Sequence, residues 1–273
     1  MANAGVLQAL AGPGTLIVSD ERNHASIIDG CRLAKAQGAT VRVYSHRDPA
    51  HVDELLRGHS GEAIVVTDGL FSMDGTLAPV PELLTICRAR GAALMVDDAH
   101  GTGTLGATGR GITEHFSLVD DHPDILVATS SKALGVEGGA VAASAPVAAL
   151  LRQKARTFVY STSSTPATCA AVSAAIGVLE GEENPVTALH RNIRRLASQI
   201  GMGEWASPII PVPIGDETRA VNAAARLREA GYFVPAIRWP TVPRGAAMLR
   251  VTVMATHTDE QIDGLARALR QVR

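Results

Sequence analysis

Cysteine is scarce and badly spaced for cross-linking. The 273 residues contain three, Cys31, Cys87 and Cys169. An odd number, far apart, excludes a disulfide framework and a zinc-type spacing and points to a reducing cytoplasm. A cationic surplus is also missing. Lys and Arg total 25 against 27 Asp and Glu, a formal net charge of −2. With no excess of cations to collect phosphates, neither nucleic acid nor a membrane surface is expected as a partner. No apolar run reaches the roughly 20 residues that span a bilayer. Met1–Gly5 carries no Lys or Arg ahead of its apolar stretch, so no secretory leader is expected. No Gly-x-Gly-x-x-Gly follows the first strand-like run, which argues against a dinucleotide-binding unit. Internal repeats and low-complexity segments are absent from the sequence.

What remains is the pattern of an α/β protein. Hydrophobic residues make up 46% of the chain and charged residues 19%, enough to bury a core. The length suits one large domain or two unequal ones. Leu16–Val18, Val41–Tyr44, Ala63–Val66, Ala93–Val96 and Ile125–Ala128 read as strands. Between them, helical spacing predicts helices over Ser26–Lys35, around Val52–Leu56 and over Pro81–Arg90. Strands alternating with helices predict a mostly parallel sheet flanked by helices. An alanine-rich helix is expected over Pro166–Glu182, then a break at Glu182–Pro185. Beyond it, helices near 186–199 and 217–230, strands near 209–214, 233–237 and 249–254, and a last helix from Asp259 predict a smaller α+β domain. The expected division is 1–182 and 183–273.

Ligands of such sheets sit at the carboxyl ends of the strands. The residues there are Ser19-Asp20, Thr67-Asp68, Asp97-Asp98-Ala99-His100 and Thr129-Ser130-Ser131-Lys132. Lys132, among small residues after a strand, is a candidate for Schiff-base chemistry, because desolvation in a cleft favours its neutral amine. A solvated surface lysine is the simpler reading of that residue alone. Asp97 suits a protonated pyridine nitrogen and His100 a phenolic oxygen, and pyridoxal phosphate needs both kinds of partner as well as a lysine. A metal pair or a turn is the alternative for Asp97-Asp98, and a hydrogen-bonded core histidine for His100. His24, at a helix start, either stacks on a cofactor ring or caps the helix. Ser72 sits before an Asp-Gly turn. Arg250 alternates with Leu249 and Val251 and either grips a substrate carboxylate or forms a surface ion pair.

Taken together, Asn23–Gly30, Phe71–Gly75, Asp97–Gly103, Gly109–Gly111, Ser131–Gly135, Tyr160–Ser163 and Leu249–Thr252 resemble the α-oxoamine synthases, fold-type I pyridoxal phosphate enzymes. The resemblance runs from Ala2 to the C-terminus. It implies a cofactor-binding large domain over 1–182 and a small domain over 183–273. It implies that Lys132 holds pyridoxal 5′-phosphate covalently, with Asp97 on the ring nitrogen, His100 on the phenolic oxygen and His24 on the ring face. Ser72 would meet the cofactor's polar edge and Thr129 its phosphate. Ser161 and Thr162 would reach the phosphate of a neighbouring subunit in a homodimer. Arg250 would hold the amino-acid carboxylate. Ala236–Pro243 points to the members that condense L-alanine with a pimeloyl thioester, carried by CoA or a carrier protein, as cytoplasmic acyltransferases of biotin biosynthesis. Glycine with another acyl-CoA is the second reading, and a truncated, non-catalytic homologue the third. Against the family pattern, Asp68 replaces a common Glu, Ser130-Ser131 a bulkier pair, and Trp239 a common Pro. The N-terminal arm and phosphate loop of the family are expected to be missing from 1–182.

Overall fold

The computed structural model describes residues 1–118 and 120–272. Contacts divide the chain into two units, Met1–Phe71 with Leu77–Glu182, and Ser72–Thr76 with Glu183–Arg273. The first unit runs α1 (Ala2–Leu10), β1 (Leu16–Asp20), α2 (Ala25–Ala36), β2 (Thr40–Tyr44), α3 (Pro49–Leu56), β3 (Ala63–Asp68), α4 (Val80–Arg90) and β4 (Ala93–Asp97). It continues with α5 (Ile112–His115), β5 (Ile125–Thr129), β6 (Gly139–Ala143), α6 (Ala145–Lys154), α7 (Arg156–Val159) and α8 (Pro166–Glu180). The sheet order is β2-β1-β3-β4-β5-β6, parallel throughout except for β6, which runs antiparallel along β5. The mostly parallel α/β sheet is therefore present.

Side-chain alternation sorts the strand residues onto two covered faces. Leu16, Val18, Val65, Leu94 and Val96 pack with Leu83, Leu84 and Cys87 of α4. Ile17, Ile64, Val66 and Met95 point the other way, against Leu7 of α1 and Ile27, Cys31 and Ala34 of α2. Burial on both faces explains why these strands read as unbroken apolar runs. Helix ends follow local chemistry. Asp48 caps α3 by accepting from the His51 amide, and Gly91, at φ +66°, turns the chain out of α4 in the left-handed conformation.

In the second unit α9 (Val186–Gln199), β7 (Ile209–Gly215), α10 (Glu217–Glu229), β8 (Ala236–Ile237), β9 (Ala247–Thr252) and α11 (Asp259–Val272) follow in order. The antiparallel sheet is ordered β7-β9-β8. Helical spacing gathers Leu189, Ile193 and Leu196 on one stripe of α9 and Ile262, Leu265 and Leu269 on one stripe of α11. Both stripes close the core over Ile210, Leu249 and Val251. Two sequence expectations need correction. The strand expected over 233–237 shrinks to Ala236–Ile237, because Pro235 can donate no ladder hydrogen bond. The helices α1, α5, α6 and α7 and the edge strand β6 are additions to the expected elements, and β6 is hard to read because Gly139–Ala143 holds one β-branched residue in a run of Gly and Ala.

Candidate active site

Strand register brings the acidic residues together. Asp68 at the end of β3 pairs with Asp97 at the end of β4, and Asp97 pairs with Val127 of β5. Asp97 is buried, and each of its oxygens receives one neutral donor. Asn3 Nδ2 donates to Oδ2 at 2.6 Å and the Ala99 amide to Oδ1 at 2.9 Å. Asn3 lies in the first turn of α1, so that helix reaches the strand ends directly. Its second amide proton goes to Ser26 Oγ at 2.9 Å.

Asp68 is buried beside it. Burial first, and then the Asp97 charge, push its carboxyl well above the usual carboxylate range. The His24 amide, donating to Oδ2 at 2.8 Å, and the Lys132 charge pull the other way. Lys132 thus acts electrostatically on the carboxyl that also feels Asp97. The Asp68 amide donates to Asn23 Oδ1 at 2.8 Å, while Asn23 Nδ2 bridges Ser19 Oγ and the Val66 carbonyl. These bonds tie the β1–α2 turn to β3. His24 then caps α2, its Nδ1 accepting from the Ser26 amide at 3.2 Å and lying 2.8 Å from Ser26 Oγ. Capping is therefore observed for His24, and its exposed ring leaves a flat face available for stacking.

Asp98 points into the loop that carries His100. Its carboxylate accepts from the Ile112 amide at 3.2 Å and from Thr102 Oγ1 at 3.1 Å, and burial pushes its pKa up to about 7. A Cβ on Gly101 or Gly111 would strike that carboxylate, so these glycines answer to Asp98. His100 is half-buried in the same loop. Thr129 closes β5, donating to the Gly138 carbonyl at 3.0 Å and standing 2.8 Å from Ser131 Oγ. The exposed Lys132 follows, in a turn closed by the Gly135 amide on its carbonyl at 3.1 Å. Ser161 and Thr162 lie exposed between α7 and α8, with the Ser161 hydroxyl donating to the Thr157 carbonyl at 2.7 Å.

Ser72 and Arg250 belong to the second unit. Arg250 Nε donates to the Ser72 carbonyl at 2.6 Å and Nη1 to Thr252 Oγ1 at 2.9 Å. Burial lowers the Arg250 pKa. Gly75, at φ +68°, sits so close to the Ile209 carbonyl that no side chain fits there. Asn3 and Ser26 carry no sequence signal for the contacts they make. For the loop role of Asp98, the paired acid followed by Gly101 and Gly111 is the available signal.

The cofactor fit rests on the donor and acceptor balance. The inner end of the site offers the Asp97 oxygens and Asn3 Oδ1, a buried acceptor that finds no donor among the described residues. A buried carboxylate met only by neutral donors keeps its charge and spare lone pairs, which suits a protonated ring nitrogen. Among the described residues, no group of three or more His, Cys, Asp and Glu is placed to hold a metal, and no helix is long and apolar enough to cross a membrane.

Known proteins resemble the chain over nearly its whole length. The family model "Aminotransferase class I and II" matches residues 1–269. An 8-amino-7-oxononanoate synthase of Pseudomonas putida is 46% identical over 98% of the chain and 70% of its own length. The biotin biosynthesis bifunctional protein BioWF of Corynebacterium kroppenstedtii is 45% identical over 95% of the chain, which spans only 40% of that protein. A variant serine palmitoyltransferase from S. paucimobilis, solved with a bound PLP–myriocin aldimine, superposes with a TM-score of 0.91 at 30% identity, covering 99% of this chain and 69% of that one.

Proposed function

The chain belongs to the aminotransferase class I and II family, and on that premise we propose that it catalyses the decarboxylative condensation of L-alanine with a pimeloyl thioester to give 8-amino-7-oxononanoate, for biotin biosynthesis. The observation that carries this is the buried Asp97 carboxylate at the end of β4, held by Asn3 from α1, beside Asp68 at the end of β3, whose carboxyl feels the Lys132 charge. Pyridoxal 5′-phosphate, when bound, supplies the electron sink that first loss of the alanine α-proton and then loss of carbon dioxide require.

The chain's own residues do the rest. Lys132 would hold the cofactor covalently, and as a free amine its Nζ would take and return the α-proton. Asp97 accepts from the ring nitrogen and keeps a proton there. His100 donates to the phenolic oxygen. His24 lies against the ring face, its orientation set by its cap bonds to Ser26. Thr129 binds phosphate, Ser72 the polar edge, and Arg250 the substrate carboxylate through the part of its fork left by Ser72 and Thr252.

A homodimer in the cytoplasm completes the reading. α8 has no buried residue, although nine of its fifteen residues are Ala, Val, Ile or Leu and its one charge is the last residue. Phe158, Val159 and Tyr160 beside it are exposed as well. A helix apolar on every side belongs in an interior, and a second copy that covers it also brings Ser161 and Thr162 to the neighbouring phosphate. Either thioester, of CoA or of a carrier protein, fits this chemistry. The test is an absorbance spectrum with pyridoxal phosphate, before and after L-alanine, followed by assay with pimeloyl-CoA. A cofactor band that responds to L-alanine, and product that vanishes in Lys132→Ala, support the proposal. Response to glycine alone would transfer the chain to the glycine-using reaction, and a folded protein with no band would overturn the reading.

A further inference from the structure

Two polar residues, Asn3 and Ser26, join the two groups assigned to the cofactor ring, Asp97 and His24. Asn3 Nδ2 donates to Asp97 Oδ2 at 2.6 Å and to Ser26 Oγ at 2.9 Å, and Ser26 Oγ lies 2.8 Å from His24 Nδ1. The directions of these bonds follow from chemistry. A carboxylate cannot donate, so the amide nitrogen and not the amide oxygen of Asn3 faces Asp97. Both amide protons are then committed, one to Asp97 and one to Ser26. Ser26 Oγ, accepting from Asn3, gives its own proton to His24 Nδ1. That nitrogen also accepts from the Ser26 amide at 3.2 Å. The neutral His24 ring must therefore carry its proton on Nε2.

We propose that Asn3 is the positioning residue of this site, fixing the Asp97 carboxylate toward the ring nitrogen and, through Ser26, the tautomer of the His24 ring. The inference rests on the pyridoxal phosphate reading and adds to it a residue from α1 that touches neither the reacting carbon nor the substrate. Asn3 is 5% exposed, and its amide adds a directional hold that the Ala99 amide on the other oxygen does not supply. Without the Asn3 bond, Oδ2 is free to rotate away from the guest. A neutral donor orients the acid without cancelling its charge, whereas a cation in the same place would compete with the ring nitrogen for it.

The test uses the full chain loaded with ¹⁵N-labelled pyridoxal phosphate, with ¹⁵N-labelled histidine, read by NMR across the pH range of the folded protein. The wild type is expected to show a protonated ring nitrogen and a single His24 tautomer with the proton on Nε2. Asn3→Ala should weaken proton affinity at the ring nitrogen about tenfold, the worth of the charged hydrogen bond that a turned Asp97 carboxylate no longer makes to it, and loosen the His24 tautomer preference, since the Ser26 hydroxyl loses the donor that orients it. Ser26→Ala leaves only the backbone amide of residue 26 on Nδ1, and should loosen the tautomer preference while leaving the ring nitrogen as in the wild type. That split separates positioning from a general loss of packing, and Asn3→Ser, polar but too short to hold both Asp97 and Ser26, decides the case by the same two signals should Asn3→Ala fail to fold. Variants whose nitrogen signals match the wild type would overturn the inference alone. A wild type that takes up no cofactor would overturn the functional reading and this inference with it.

Discussion

Asp98 shows how one side chain can serve the site without touching a ligand. It anchors the loop that bears His100 through Thr102 and Ile112, and its pKa of about 7 is set by burial. A carboxyl raised in the folded state binds its proton more tightly there than in the unfolded chain. Its contribution to stability is therefore fullest below about pH 4 and is lost as pH rises toward 7. Stability measured by urea unfolding should fall across that window by roughly 4 kcal/mol more in the wild type than in Asp98→Asn. Equal pH profiles would contradict this assignment. Asp68 is raised by the same cause and contributes with the same sign in both proteins, so the comparison isolates Asp98. At this scale the sequence is half legible. Lys132, Asp97 and His100 stand out because their chemistry is distinctive. Asn3 and Ser26 do not, because their parts depend on partners 94 and 23 residues away in the chain.

At the scale of elements, the loop from Asp98 to Ile112 depends on glycine. Gly111 has φ +84° and faces the Asp98 carboxylate, so Gly111→Ala meets both backbone strain and a collision. It should destabilise the chain by about 1–3 kcal/mol, and should weaken pyridoxal phosphate uptake because the loop carrying His100 shifts. Gly58→Ala, at φ +78° with nothing near, carries the strain without the collision and should leave uptake unchanged. Cofactor titration of both variants separates the two effects. The central strands make a simpler case. Leu94 is fully buried on β4, and Leu94→Ala should cost about 2–5 kcal/mol in urea unfolding. The strands β1, β3 and β4 are readable because burial on both faces writes continuous apolar runs, and the edge strand β2 because its sequence alternates. β6 is not, because glycine and alanine lack the propensity that marks a strand, and its place is set by pairing with β5.

For the whole molecule, the bare apolar surface of α8 is the largest disagreement between composition and burial. Ile176 is 42% exposed and Val178 54% exposed in a helix without a charge before Glu180. Analytical ultracentrifugation should find a dimer, and Ile176→Glu should raise its dissociation constant at least tenfold, since burying an unpaired charge costs more than one apolar contact gains. A monomeric wild type would remove the second subunit, and with it the role of Ser161 and Thr162. The break at Glu182–Pro185 is legible from its composition, whereas the assignment of Ser72–Thr76 to the unit formed mainly by the C-terminal residues is not. That assignment depends on Gly75 meeting Ile209, more than a hundred residues onward.

The measurement that bears most directly on the central claim is borohydride reduction of the protein incubated with pyridoxal phosphate, followed by peptide mapping. The lysines available are Lys35, Lys132 and Lys154. A stoichiometric pyridoxyl group on Lys132, lost when Asp97→Ala removes the partner of the ring nitrogen, is the expected result. A label spread over Lys35 and Lys154, or absent from Lys132 in folded protein, would contradict it.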